Sequence, residues 1–150
     1  MIIRNVQVTD LARLSSLEKQ EFGDCGLNAV TMRQQIDLFA QTFFVAEQDD
    51  EIAGFVIGGV SVGTGCGWIL DLVVNDKYQR QSIATELSQK CIEALRRYCQ
   101  SKILLTVEPN NPARMLYKKL GFIEADLVSD YFGENAPRLI MELEKASSEN

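Results

Sequence analysis

The stretch from Asp71 to Leu87, DLVVNDKYQRQSIATEL, sets the strongest constraint on how this chain can fold. An apolar run rich in strand-forming residues leads into a polar turn, and a segment with helical spacing follows, where Ile83 and Leu87 fall on one face. A strand–turn–helix unit points the unpaired N–H groups of the first helical turn toward one place, which suits an anion, usually a phosphate. The turn groups polar residues where the helix begins: Gln79, Arg80, Gln81 and Ser82. We therefore expect a pyrophosphate-binding loop here.

The hydrophobic pattern of the whole chain predicts one α+β domain over residues 1–145, followed by a polar tail over 146–150 that frays. Thr9 or Asp10 is expected to cap the first helix and Thr31 the second, and Gly121 ends the last one. Strands are predicted over residues 2–8, 42–47, 51–60, 68–74, 102–107, 122–129 and 138–143. The order β-α-α-β-β-β-α-β-α-β-β gives one mixed sheet with helices on both faces. The strand–helix units at 68–98 and 102–120 call for parallel pairing with right-handed crossovers.

Charge and cysteine usage narrow the class of protein. The formal net charge of -6 argues against nucleic acid or an anionic membrane as the main partner. The sequence shows no apolar core of a signal peptide and no run of the roughly 18 apolar residues that span a bilayer, so we expect a cytoplasmic protein. The chain has no histidine, and its four cysteines form no CxxC pair, so we expect reduced thiols and no metal site.

Two motifs carry a family resemblance. The first is the strand LDLVV followed by YQRQSIA at 78–84, which is similar to a pyrophosphate loop of the pattern Q/R-x-x-G-x-G/A, with Gln79 first and Ala84 last. The second is VEPNNPARMLY at 107–117, continued by LGF at 120–122, in which Asn111 best matches the asparagine of the family pattern. On these motifs and the strand order, the chain resembles the GNAT superfamily of acetyl-CoA-dependent N-acyltransferases over nearly its whole length.

The resemblance implies both a fold and an activity. The fold is an α/β/α arrangement around a twisted, mostly antiparallel sheet, with a central pair of parallel strands that splay apart near Val74 and Val107. The activity is transfer of an acetyl group from acetyl-CoA to a primary amine by direct attack on the thioester, with no acyl-enzyme. The residues that the resemblance assigns to cofactor binding are Leu72, Val73, Val74, Gln79, Arg80, Gln81, Ser82, Ile83, Ala84, Asn111 and Tyr117.

The loop departs from the family pattern at Ser82 and Arg80, where glycines are usual. Glycine allows close approach of the backbone and a positive φ, which serine adopts only at a cost. Serine offers a hydroxyl donor instead, and Arg80 offers a charge-assisted donor to a phosphate. One alternative is an ordinary solvated helix start in a domain that has lost its cofactor. Another is a domain of this fold that senses CoA or binds a partner without catalysis.

Three residues are candidates for acid–base chemistry. The resemblance makes Tyr117 the acid that protonates the departing CoA thiolate, a role that suits a phenol with a pKa of about 10, although an aromatic on an amphipathic helix is often core. Without a histidine, Asp71 and Glu108 are the candidate bases. Asp71 could equally be a structural residue held by loop N–H groups, and Glu108 could face solvent. Asn111 would hold the pantetheine arm or would cap a helix.

The sequence gives less information about which residues contact the amine acceptor. A main-chain N–H near Val73 or Val74 would polarise the thioester carbonyl. Two loops could line an acceptor pocket, one containing Phe22, Asp24 and Cys25 and the other containing Tyr131, Phe132 and Glu134. A hairpin plug of aromatic residues is the alternative for the second, and a purely structural role is likewise the alternative for the first. The acceptor is expected to be a small-molecule or peptide amine, and a homodimer is common among similar proteins.

Overall fold

The structure is a computed structural model that describes residues 1–80 and 82–145. Gln81 of the expected pyrophosphate loop and the predicted polar tail at 146–150 lie outside the described residues. The strands are β1 (Ile2–Asn5), β2 (Phe43–Gln48), β3 (Glu51–Val60), β4 (Gly67–Val74), β5 (Ile103–Val107), β6 (Ile123–Val128) and β7 (Arg138–Leu143). The helices are α1 (Leu11–Phe22), α2 (Ala29–Phe39), α3 (Ile83–Tyr98) and α4 (Ala113–Lys119).

The strands form one sheet in the order β1-β2-β3-β4-β5-β7-β6. Only β4 and β5 are parallel neighbours in the described chain, and the other pairs are antiparallel. This confirms the mixed, mostly antiparallel sheet and the predicted order of elements. The prediction of parallel pairing was wrong for the second strand–helix unit, because β7 returns between β5 and β6.

Helices cover both faces of the sheet and bury two apolar clusters. On one face, the inner positions of α3 recur every four residues at Ile83, Leu87, Cys91 and Leu95, and all are buried with residues of the central strands. A Cβ added to Gly58 of β3 would lie 2.6 Å from Cys91 Sγ, so this glycine lets α3 approach the sheet. On the other face, α1 and α2 pack a separate cluster against the sheet. The predicted layering is therefore confirmed.

Two predicted element ends differ from the structure. Asn28, rather than Thr31, caps α2, because its Oδ1 accepts the Thr31 N–H at 2.9 Å. The first strand ends at Asn5 instead of continuing to Val8, since a short 3₁₀ turn precedes α1 and Asp10 Oδ2 accepts the Gln7 N–H at 2.8 Å. Within residues 1–80 and 82–145, no helix has the length and apolar character needed to cross a membrane.

Candidate active site

The two parallel strands in the sheet separate soon after they begin to pair. Pairing between β4 and β5 ends at Ile69 and Leu105, although both strands continue. A β-bulge lies at the same level, where the register between β3 and β4 skips Leu70. A bulge bends the strand that carries it, so β4 turns away from β5 and a gap opens between them. The predicted splayed strand pair is thus confirmed.

The gap exposes one edge of β4. Asn75 N–H donates to the Ala53 carbonyl of β3 at 2.8 Å. Because main-chain groups alternate between the two edges of a strand, Val73 also points its N–H and C=O toward β3. Those of Leu72 and Val74 face the gap. Of the two N–H groups predicted to polarise a carbonyl, only that of Val74 has this direction.

The polar loop lies between the end of β4 and the start of α3. Arg80 and Ser82 have left-handed φ values of 67° and 62°. Glycine adopts this region most readily, so the loop keeps a glycine-type backbone although neither residue is glycine. The first hydrogen bond of α3 runs from Glu86 N–H to Ser82 O at 3.0 Å, and the N–H groups of the preceding turn have no acceptor within the helix. This backbone fits a pyrophosphate.

The turn before this loop is attached to the β2–β3 hairpin. Tyr78 is buried, and its hydroxyl donates to Glu51 Oε2 at 2.7 Å. Lys77 Nζ donates to the same oxygen at 2.9 Å, and Asn75 Oδ1 accepts the Lys77 N–H at 3.1 Å. The loop therefore starts from a fixed point on the sheet.

Helix α4 supplies the phenol of the site. Tyr117 is 7% exposed, and its ring meets Phe122 edge to face with 5.9 Å between centroids. Burial, and then the charge of nearby Asp71, raise the pKa of Tyr117 to about 12. The phenol therefore keeps its proton at neutral pH.

Asn111 Oδ1 accepts the Ala113 N–H at 2.9 Å, as in the helix-cap alternative, and a contact from Asn111 to the pantetheine arm stays a prediction.

Asp71 follows the bulge in β4 and lies mostly buried. Burial is the main cause that raises the pKa of Asp71 to about 8, and the charge and hydrogen bonding of Glu18 add to the rise. The Leu72 N–H and the charge of Arg138 act in the opposite direction and lower this pKa. Asp71 Oδ2 is buried and has no hydrogen-bond donor in the described chain. The alternative of a carboxylate held by main-chain N–H groups therefore leaves this oxygen unexplained. A buried carboxyl of this kind can accept a proton near neutral pH.

The structure treats the two candidate bases differently. Asp71 interacts electrostatically with Tyr117, so the strand and the helix bring these two predicted residues together. Glu108 lies past the end of β5 with an exposed side chain, and its carbonyl accepts the Asn111 N–H at 3.0 Å. A role for Glu108 through water stays a prediction.

Sequence reasoning missed two charged residues at this site. Glu18 of α1 is 2% exposed and interacts with Asp71. Its position one turn after Leu14 puts a carboxylate in an apolar helical stripe, which is a signal that the sequence contains. Arg138 opens β7 and donates from Nε and Nη2 to Oγ1 and O of Thr106 at 3.1 and 3.0 Å. Nothing in the local pattern distinguishes Arg138 from an ordinary strand end.

Both predicted acceptor loops are exposed. Tyr131 and Phe132 meet edge to face at 4.9 Å, and the guanidinium carbon of Arg138 lies 5.2 Å from the Phe132 ring centroid. Phe132 therefore contacts Arg138, whose positive charge also lowers the pKa of Asp71. In the α1–α2 loop, Phe22, Asp24 and Cys25 are exposed. Substrate contacts of these residues stay predictions.

A split parallel strand pair, a helix start with unpaired N–H groups and a carboxyl beside a phenol are the features of a candidate site for cofactor-dependent group transfer. A sequence model of the acetyltransferase (GNAT) family matches residues 10–122. The chain belongs to this family and is an acetyl-CoA-dependent N-acetyltransferase.

Relatives and solved structures cover most of the chain. An N-alpha-acetyltransferase of Sulfurisphaera tokodaii is 26% identical over 151 residues, which cover 93% of this chain and 90% of the relative. N-alpha-acetyltransferase 30 of Schizosaccharomyces pombe is 33% identical over 104 residues, covering 65% and 69%. A chain of the NatC complex bound to Gag peptide and CoA has the same fold, with a TM-score of 0.84, 17% identity and coverage of 97% and 98%.

The variant Ser82→Gly separates the shape of the loop from the chemistry of the hydroxyl. A non-glycine residue in the left-handed region costs about 1 kcal/mol, and the glycine variant removes this cost. Glycine also gives the unfolded chain more conformational freedom, which offsets the gain, so we expect little change in Tm. If the main-chain N–H groups hold the pyrophosphate, the Kd of acetyl-CoA stays within about threefold or falls. Calorimetric titration measures the Kd. The matched control for the change in Tm is Asp49→Gly, which replaces another left-handed residue (φ 53°). A tenfold weaker Kd would assign the contact to the hydroxyl.

Proposed function

We propose that this chain acetylates the α-amine at the N-terminus of a peptide or protein. The observation that carries the proposal is the proximity of Asp71, a buried carboxyl with a pKa raised to about 8, to Tyr117, a phenol that keeps its proton. An α-ammonium has a pKa of about 8 and a lysine ammonium about 10.4. Asp71 therefore takes a proton from an α-ammonium at little cost in free energy, whereas a lysine costs about 3 kcal/mol more.

The names of similar proteins support the same class of acceptor. Relatives from Sulfurisphaera tokodaii and Schizosaccharomyces pombe are N-alpha-acetyltransferases, and the NatC structure holds a Gag peptide with CoA. In this chain the β6–β7 loop with Phe132 and the α1–α2 loop with Phe22 offer exposed aromatic surface for the first residues of a peptide.

The residues of the gap have separate roles on this proposal. Acetyl-CoA supplies the thioester, whose carbonyl carbon forms the new C–N bond while the C–S bond breaks. Main-chain groups of Leu72 and Val74 hold the pantetheine arm, and Val74 N–H polarises the carbonyl oxygen. The helix start at Ser82 holds the pyrophosphate.

Two residues move the protons. Asp71 takes one proton from the α-ammonium before attack and releases it to solvent. Tyr117 gives its proton to the departing sulfur and regains one from the nitrogen as the amide forms. Of the two protons that the nitrogen loses, one reaches solvent and the other reaches the thiol, so the reaction balances.

We place this activity in the cytoplasm, since all four cysteines carry free thiols, which is usual in a reducing compartment. A homodimer stays a prediction.

A released-thiol assay with matched acceptors tests the proposal. One peptide has a free N-terminus and no lysine, and its partner has the same sequence with a formylated N-terminus and one internal lysine. We expect kcat/KM for the first to exceed that for the second by about 100-fold, the ratio that corresponds to about 3 kcal/mol. Equal rates, or a preference for the lysine peptide, would contradict the proposal.

A further inference from the structure

Glu18 is a buried carboxyl that the proposed roles leave without an assignment. It lies on α1 with 2% of its surface exposed. Its Oε1 accepts the Leu27 N–H at 3.0 Å, which ties the end of the α1–α2 loop to the helix. A Cβ added to Gly26 would lie 3.0 Å from Glu18 Cγ, so the loop closes tightly over this side chain. Glu18 is therefore held in one position.

The second oxygen of Glu18 has no donor. Glu18 Oε2 and Asp71 Oδ2 are both buried without a hydrogen-bond partner in the described chain. The two carboxyl groups nevertheless lie close together, because Glu18 is, after burial, the neighbour that raises the pKa of Asp71. Two carboxylates cannot donate to each other, so one proton must lie between them for both oxygens to be satisfied.

The other polar groups of the described chain near Glu18 and Asp71 do not donate a hydrogen bond to these two oxygens. Leu72 N–H and the charge of Arg138 act on Asp71, and Tyr117 of α4 senses the Asp71 charge. Arg138 keeps its own hydrogen bonds to Thr106. The proton that Asp71 takes from the acceptor is the one that the two carboxyls then share, so the transfer leaves the pair with a single negative charge.

We propose that Glu18 is a positioning residue of this acetyltransferase, whose carboxyl shares a proton with Asp71 and so sets how readily Asp71 takes a proton from the acceptor. The inference rests on the proposed function. Because the same side chain holds Leu27 through its other oxygen, Glu18 also links the α1–α2 loop to the base.

The pH profile of Glu18→Gln tests this role. Glutamine still accepts the Leu27 N–H and offers an N–H to Asp71, which favours the charged form of Asp71. We expect the rise of kcat/KM with pH for a free-N-terminus peptide to move to lower pH by about one unit or more. The plateau should fall about tenfold, because the base is weaker. Glu93→Gln, which makes the same charge change at an exposed site on α3, should leave both features unchanged.

A titration of the acetyl-CoA-free protein separates the two proposals. Carbon-13 NMR follows the Asp71 carboxyl, identified by the loss of its signal in Asp71→Asn, and circular dichroism checks that each variant is folded. A lower titration midpoint of Asp71 in Glu18→Gln supports the shared proton even if no peptide is acetylated, an outcome that would overturn only the proposed acceptor. An unchanged midpoint, or an active Glu18→Gln with an unshifted pH profile, would overturn the role of Glu18.

Discussion

Tyr117→Phe lowers kcat for peptide acetylation by about 100-fold to 1,000-fold, while the KM for acetyl-CoA changes less than about threefold. The phenylalanine ring fills the same space and keeps the edge-to-face contact with Phe122, so packing is preserved. What the variant loses is the proton that Tyr117 gives to the departing sulfur. Because burial raises the pKa of Tyr117 to about 12, no alkaline loss of activity from this group is expected below about pH 11.

Steady-state kinetics with both substrates varied checks this expectation. Tyr98→Phe is the matched control, since Tyr98 ends α3 with half of its surface exposed, and it should leave kcat unchanged. If Tyr117→Phe leaves kcat unchanged, Tyr117 is a core residue and has no part in proton transfer.

Asp71→Asn has opposite effects on activity and on stability. Loss of the base lowers kcat/KM by about 100-fold or more. The fold raises the pKa of Asp71 from its ordinary value of 3.8 to about 8, so folding favours the protonated form. Stability from this group is fully present below pH 3.8 and is lost as pH rises through 8. Asparagine does not titrate, so the variant gains stability relative to the unmodified chain as pH rises.

Thermal unfolding at pH 5 and pH 9 measures the second effect. The Tm advantage of Asp71→Asn should be larger at pH 9 than at pH 5 by about 3 °C or more. Asp126→Asn is the matched control, because Asp126 also accepts the N–H of the following residue, at 2.8 Å, but is exposed. A Tm that falls equally at both pH values would show that Asp71 is a structural carboxylate.

Local patterns in the sequence predict much of this fold. The apolar spacing from Ile83 to Leu95 predicts α3 and its buried face, and the run at 138–143 predicts β7 with the bounds that the structure has. Tyr117 and Asp71 are predicted as acid and candidate base from the sequence, through motif resemblance and the absence of histidine, and these roles stay predictions. In these cases the information lies within one element.

The features that sequence reasoning missed depend on contacts between distant elements. The bulge at Leu70 depends on how β4 pairs in register with β3, and the position of β7 beside β5 depends on the order of strands in the sheet. The meeting of Glu18 with Asp71 joins α1 to β4. A charged residue in an apolar stripe shows that Glu18 needs a partner, but only the packing of α1 on the sheet identifies that partner.

A competition within one peptide that has both a free α-amine and an internal lysine tests the choice of acceptor nitrogen. The peptide is incubated with acetyl-CoA and the unmodified chain at pH 7, and tandem mass spectrometry locates the acetyl group. We expect acetylation on the N-terminal nitrogen, with the lysine unmodified at the same extent of reaction. An acetyl group on the lysine, or no acetylation while acetyl-CoA is bound, would contradict this expectation.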